Sequence, residues 1–246
     1  MDWHPGETCT IAGEGVIIDT YIVPTWRSHL LASMAHRVAK GLVGGCAVLL
    51  GVMVSGCAAP QYTYVANSGA STYFKVPTGW HQISDSALQK ATGSSGSGWL
   101  VAYEAGTKPA ATDFQSFETG EPFVFAEVGP LNSTATASLS YDGLRDIFLP
   151  VTSTARQSAA SQSGFPFTNF QQIRDQTLML SQGVHGVRET FDYTYKGVAD
   201  TFDQVALTNA DQTELYLLVL HCTTACYSHD QIAINDVMSS FTVRSP

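Results

Sequence analysis

The segment Val187-Arg-Glu-Thr-Phe-Asp-Tyr-Thr-Tyr195 alternates without a break. Val187, Glu189, Phe191, Tyr193 and Tyr195 point one way, and Arg188, Thr190, Asp192 and Thr194 the other. A period of two belongs to an extended chain, and strict alternation gives it one dry face and one wet or partner-facing face. The neighbouring stretches read the same way. Thr213 to Leu220 is apolar on both faces and belongs at the centre of a sheet. Thr201 to Leu207 pairs with it across Asn209-Ala-Asp-Gln212, and Gln171 to Leu180 supplies a further strand. Connections this short make the pairing antiparallel.

Upstream, Thr72 to Val76 and Trp80 to Ile83 read as a hairpin about Thr78-Gly79. Ser84 to Ala91 is a short helix, and Gly93 to Gly98 a flexible loop without the Lys-Ser/Thr of a phosphate cradle. Trp99 to Ala105 and Pro122 to Val128 are strands, separated by a loop over Lys108 to Gly120. Ser138 to Leu149 follows a helical pattern with Tyr141, Leu144, Ile147 and Phe148 on one face. Val151 to Phe167 is a long polar connection, expected to be a mobile excursion or lid. At the C-terminal end Ser228 and Gln231 have capping-box spacing, and Ile234, Val237, Met238 and Phe241 form a helical stripe. Antiparallel strands that carry helices make an α+β fold, an α/β/α sandwich with a central antiparallel sheet.

Ahead of this domain lies a segment of another kind. His36, Arg37 and Lys40 precede an uncharged apolar run, Gly41 to Val54, which ends in Ser55-Gly56-Cys57. About 14 apolar residues are too few for a membrane span, which takes roughly 20. A basic flank, an apolar core and a small-residue end make an export signal. Its last four residues, Val54 to Cys57, resemble the lipobox of bacterial lipoproteins, with valine where that family prefers leucine. The resemblance implies cleavage before Cys57 and acylation of its thiol. Residues 1–33 carry Asp2, Glu7, Glu14 and Asp19, which do not suit a signal, so translation is expected to begin at Met34. The organisation expected is an upstream extension (1–33), a signal peptide (34–56), a tether (57–70) and a single domain (71–246).

The chain has 21 acids and 12 bases; the leader holds four and three of them, leaving 17 and nine and a net charge of −8. No basic cluster exists among those nine, which argues against nucleic acid and against attraction to an anionic surface. The membrane contact is then expected through the lipid. Of five cysteines, Cys222 and Cys226 remain once the leader is removed and Cys57 acylated. An even pair in an oxidising compartment reads as a disulfide.

The aromatic–x–Val-Pro-x-Gly-Trp turn at Phe74 to Trp80, the Cys-x-x-x-Cys-Tyr segment at Cys222 to Tyr227 and the closing Ser-Phe-Thr-Val at Ser240 to Val243 together resemble the lipid-anchored PsbP-like proteins of actinobacteria, including LpqN-type lipoproteins. The resemblance implies an α/β/α sandwich, an accessory or partner-binding role, and no fixed catalytic residues.

Candidate chemistry is sparse. His221, Cys222, Cys226 and His229 fall within nine positions and offer zinc or copper ligands, against which stands a disulfide with two incidental histidines. Glu104, Glu118, Glu121 and Glu127 could supply a glycosidase pair, or be solvated carboxylates. His81 and His185 stand singly, and no Gly-x-Ser-x-Gly elbow occurs. Aromatic side chains recur on most strands, and any left on a concave side would suit lipid, glycan or protein. The expectation is a non-enzymatic, lipid-anchored extracytoplasmic protein without a cofactor, binding another envelope protein or a small envelope ligand. The alternatives are an envelope hydrolase with a site assembled from distant residues, and a metal handler using His221 and His229. The anchor has a direct test: Cys57→Ala is expected to leave an uncleaved precursor on an immunoblot, and a chain of mature size in that variant would contradict it.

Overall fold

The computed structural model describes residues 61–93, 98–117 and 119–244. The lipobox, Cys57 and the first part of the tether lie outside them. The last part of the expected tether is a strand: β1 (Tyr62–Asn67) pairs antiparallel with β2 (Thr72–Pro77), with Val65 opposite Phe74. The hairpin expected next does not form. β3 (His81–Gln82) leaves β2 and pairs with β4 (Trp99–Glu104), because Ile83 N–H donates to the Ala102 carbonyl and draws the chain onto another sheet. Between them α1 (Asp85–Thr92) starts after Ser84 and ends at Gly93, whose φ of 67° suits a residue without a Cβ.

β5 (Phe123–Pro130) follows a single helical turn, α2 (Asp113–Ser116), and runs two residues past its expected end. α3 (Ser133–Ser138) forms upstream of the helix expected over Ser138 to Leu149 and reaches only its first residue; past it, only α4 (Tyr141–Arg145) is helical in that span. Asn132 and Ser140 cap them by accepting from Ala135 N–H and Gly143 N–H. The expected lid contains a helix, α5 (Ser153–Ser161), capped by Thr152, whose hydroxyl accepts from Ala155 N–H.

Then come the long strands β6 (Phe167–Met179), β7 (His185–Tyr195), β8 (Val198–Thr208) and β9 (Glu214–Thr223). Two helices, α6 (Thr224–His229) and α7 (Gln231–Ser240), lead to β10 (Thr242–Val243). The expected capping box is absent: Ser228 lies inside α6, its hydroxyl donating to the Thr224 carbonyl. The stripe Ile234, Val237, Met238 and Phe241 is buried as expected.

Seven strands form an antiparallel sheet in the order β3-β4-β5-β9-β8-β7-β6. β9 is its central strand, as its apolar faces demand, and β8 joins it through a turn in which the Asn209 side chain accepts from Thr213 and Glu214 N–H. Gly186 lets β7 and β8 approach: a Cβ there would sit 2.0 Å from the Ala206 carbonyl oxygen. One face of the sheet carries α1 to α5 over a phenylalanine-rich core including Phe114, Phe125, Phe191 and Phe202. The other face carries α6, α7 and the three-stranded sheet β1-β2-β10 over Leu218, Leu220, Val237 and Phe74. The α+β sandwich with a central antiparallel sheet is the observed architecture, with a small second sheet completing one outer layer.

The alternation of β7 is observed, but its second face is not wet. Arg188 is 8% exposed, and a two-pronged contact ties it to Asp203 on β8: Nε to Oδ1 at 3.0 Å and Nη2 to Oδ2 at 2.8 Å. The same guanidinium donates to Ser239 and Asn235 on α7, and Tyr227 on α6 donates to Asp203 at 2.9 Å. Removing one partner of a buried pair leaves an uncompensated charge, a loss of about 3–5 kcal/mol. Arg188→Ala is therefore expected to lower the free energy of unfolding by about that amount in denaturant titrations. The double variant Arg188→Met/Asp203→Leu should recover most of it, and an unchanged midpoint for Arg188→Ala would contradict the role of the pair.

Candidate functional site

On the helical side of the sheet, a cleft of about 350 Å³ opens between α5 and the start of β6. Ser153, Arg156 and Gln157 form one wall, and Phe165, Phe170 and Tyr193 the other. The first wall is set by Asp146. Its carboxylate accepts from Val151 N–H, Thr152 N–H and the Thr152 hydroxyl at 2.7–2.8 Å, which fixes the entry to α5. Arg156 is then aimed inward. Its Nε donates to the Val151 carbonyl at 3.0 Å, and its guanidinium lies 4.2 Å from the centre of the Phe170 ring. An arginine on an aromatic face keeps its charge and its outer N–H groups for a ligand.

The second wall is set by an irregularity in β6. The register shifts between Thr168 and Gln171, and Asn169 takes a φ of 53°. A bulge re-aims the side chains beside it. Here Phe170 packs on Tyr193 at 5.2 Å and on Phe191 at 6.0 Å, while Phe165 meets Phe167 at 5.5 Å. The Tyr193 hydroxyl donates to the Pro150 carbonyl, and burial pushes its pKa up to about 12, so it acts as a neutral donor. Apolar rings around one fixed cation can hold a ligand with an aromatic or acyl body and a negative group.

The residues singled out in the sequence are distributed differently. Cys222 and Cys226 are bonded, with Cα atoms 5.9 Å apart, at the junction of β9 and α6. His221 points to the opposite face of the sheet, fully buried among Phe117, Phe123 and Phe202 at 5.3–5.6 Å. His229 is exposed on α6 beside Asp230. The structure does not bring the two histidines together, because adjacent strand residues face opposite ways and both thiols are spent on the disulfide. Among the described residues, no three His, Cys, Asp or Glu side chains form a group able to hold a metal ion.

Glu118 lies outside the described residues. Glu104 is buried and accepts from Ala110 N–H at 2.9 Å. Burial, with Asp113 and Glu121 nearby, pushes its pKa up to about 7. Burial alone does the same for Glu127. Glu104 pairs with Phe123 in register while Glu127 pairs with Leu100. The two acids therefore sit four residues apart along one strand pair, about 13 Å, wider than the roughly 5–9.5 Å of a glycosidase pair. His81 is exposed on β3, and His185 contacts the Gly183 carbonyl and the Tyr141 ring.

Sequence reasoning missed Arg156 and the cleft, although Phe165-Pro-Phe-Thr-Asn-Phe170 sets three rings within six positions after a polar stretch. It also missed Glu189, which is buried on β7, accepts from Gln172 at 3.2 Å and lies 3.6 Å from Arg145. Arg145 is shared with Asp142 and Asp175, and burial pushes Glu189 up to about 8.

No family model and no curated protein matches the chain. Among solved structures it is similar to PsbP (CyanoP) of the cyanobacterium Synechocystis sp. PCC 6803, at 12% identity and a TM-score of 0.47 over 77% of this chain and 96% of that one. It is similar to LpqN, involved in cell envelope biogenesis of Mycobacterium tuberculosis, at 14% identity and 0.44 over 75% and 91%. The Ran-binding protein Mog1p of Saccharomyces cerevisiae follows at 8% and 0.41 over 74% and 95%. Both kinds of protein named by the sequence resemblance are thus structural neighbours, at a level that carries nothing about residues or partners.

Two buried acids, the half-buried Glu127 and His221 give the fold a pH signature. Glu104, Glu127 and Glu189 have folded pKa values of about 7, 7 and 8 against 4.5 unfolded, so the folded chain holds more protons and loses stability as pH rises from 4.5 to 8. His221 works the other way: burial lowers its pKa from 6.5 to about 3, so stability is lost as pH falls through that window. Thermal unfolding is expected to show its highest midpoint in acid, at about pH 4 where the three acids and His221 balance, and a decline toward pH 8. Glu189→Gln should flatten the alkaline limb and His221→Leu the acid limb. A midpoint that rises steadily from pH 5 to pH 8 would contradict these assignments.

Proposed function

We propose that the chain is a lipid-anchored, extracytoplasmic accessory domain of the cell envelope, and that it binds an anionic, partly apolar group of an envelope component in the cleft between α5 and β6. One observation carries the binding part: Arg156 held on the Phe170 ring inside a cleft that Phe165 and Tyr193 also line. The address rests on Met34 to Cys57, with its basic flank, apolar run and lipobox-like end. Supporting the separation of the two roles, the cleft and β1 belong to opposite outer layers of the sandwich.

A charge-assisted contact from Arg156 contributes about 1.5–3 kcal/mol, or tenfold and more in affinity. The test places p-benzoylphenylalanine at position 165 in cells that make the full chain, followed by irradiation. The expected result is an adduct of one defined mass that falls about tenfold when Arg156→Ala is added. An adduct indifferent to Arg156, or equally formed by the same photoprobe placed at Asp211, in the exposed turn between β8 and β9, would refute the cleft as the site.

A further inference from the structure

The geometry points to a second contact surface: we propose that the outer face of the three-stranded sheet lies directly on the lipid bilayer, so that the cleft opens away from it. This rests on the reading of Cys57 as the lipid anchor.

The first argument is reach. Tyr62, the first residue of β1, is five positions after Cys57. Five residues span at most about 18 Å when fully extended. An acylated Cys57 sits at the headgroups, so β1 begins within that distance of them, and the tether expected over 57–70 is reduced to its first few residues.

The second argument is what β1 and β2 present. Val65, Phe74, Val76 and Val243 face the core. The opposite positions in register hold Tyr64 across from Lys75, Ala66 across from Tyr73 and Tyr62 across from Pro77. β10 adds Thr242 opposite Tyr73, and Arg244 follows it. No acid occupies the outer positions of this sheet. Lys75 Nζ lies 3.9 Å from the centre of the Tyr62 ring, and the Arg244 guanidinium 5.5 Å from that of Tyr73. Tyr64 is 79% exposed, and Ile232 beside the start of β1 is 83% exposed.

Three tyrosines interleaved with Lys and Arg have the chemistry of a membrane interface. The rings sit at headgroup depth, the aliphatic stems lie along apolar surface, and the cationic ends reach phosphate. Charge complementarity supports the same orientation. The mature chain carries −8 overall, yet this face holds two bases; at its margin with α7 stand Asp236, which accepts from the Tyr62 hydroxyl, and Asp230. An anionic leaflet attracts this face, at about 1 kcal/mol per base, and repels the acidic remainder. Reversible insertion of such a small patch is weak by itself; the anchor makes it effective by keeping it at the surface.

The test uses the full acylated chain in vesicles of phosphatidylethanolamine and phosphatidylglycerol. With Cys57 acylated and Cys222–Cys226 bonded, an introduced cysteine is the free thiol. A nitroxide is attached in Tyr64→Cys, and separately in Gln157→Cys at the cleft, and its collisions with oxygen and with a water-soluble nickel chelate are compared. The expected result is a label at position 64 several-fold less accessible to nickel than the label at position 157, and lost protection at 64 when Lys75→Glu and Arg244→Glu are added, with the protein still floating with vesicles. Equal nickel access at both positions in protein that floats with vesicles would overturn the orientation alone. Protein that neither floats nor carries acyl mass at Cys57 would overturn the anchor reading and this proposal together.

Discussion

Arg188 and Asp203 are two charges taken out of water on the face of the central sheet that meets α6 and α7, and the placement of those helices depends on them. Desolvating such a pair costs several kcal/mol per ion, and the geometry must return it. Here a planar guanidinium meets a carboxylate through two parallel contacts, and the remaining donors and acceptors reach Tyr227, Asn235 and Ser239. The pair therefore sets where α6 and α7 lie rather than adding much to stability. The disulfide at Cys222–Cys226 fixes the start of the same turn. Lys75 N–H donates to Ser240 at the end of α7, and β10 continues from it onto β2. One buried ion pair thus leads to the position of the small sheet and of β1, its first strand.

That arrangement separates two surfaces. The central sheet stands between the small sheet, with its tyrosines and bases, and the cleft, with Arg156 among its rings. On the proposed reading, with the lipid on one side and the ligand on the other, the domain needs no change of shape to present its site. The edge strand β6 serves the cleft in a second way. Its bulges at Thr168/Gln171 and Gln172/Arg174, with Arg174 and Asp175 on the edge, discourage pairing with another sheet while turning Phe170 into the cleft.

What was legible in the sequence was local. The alternation of Val187 to Tyr195, the double apolar face of Thr213 to Leu220, the α7 stripe and the close-set cysteines are properties of neighbouring residues. What was not legible depends on distant partners. Tyr62 to Asn67 becomes a strand only because β2 accepts it, and β2 in turn is completed by residues 170 positions later. The polar face of β7 reads as wet until α7, far along the chain, covers Arg188. α5 was readable in principle, since Thr152 caps it, but its Ser, Ala and Gln content hid the signal. The cleft joins that helix to a bulge, and no short window of sequence contains both walls. His221 and Cys222 show the converse: adjacent in sequence, they serve opposite faces, one in a cage of rings and the other in a covalent link.

Two features are decisive: a lipid on Cys57 and a bound component in the cleft. A native mass spectrum of the protein, extracted gently from its own membrane, measures both. The result predicted is a chain beginning at Cys57 with acyl mass on it, two hydrogens short for the Cys222–Cys226 bond, and accompanied by a bound envelope component that Arg156→Ala releases. A chain without acyl mass, or an acylated chain that carries nothing and behaves identically with Arg156→Ala, would contradict it.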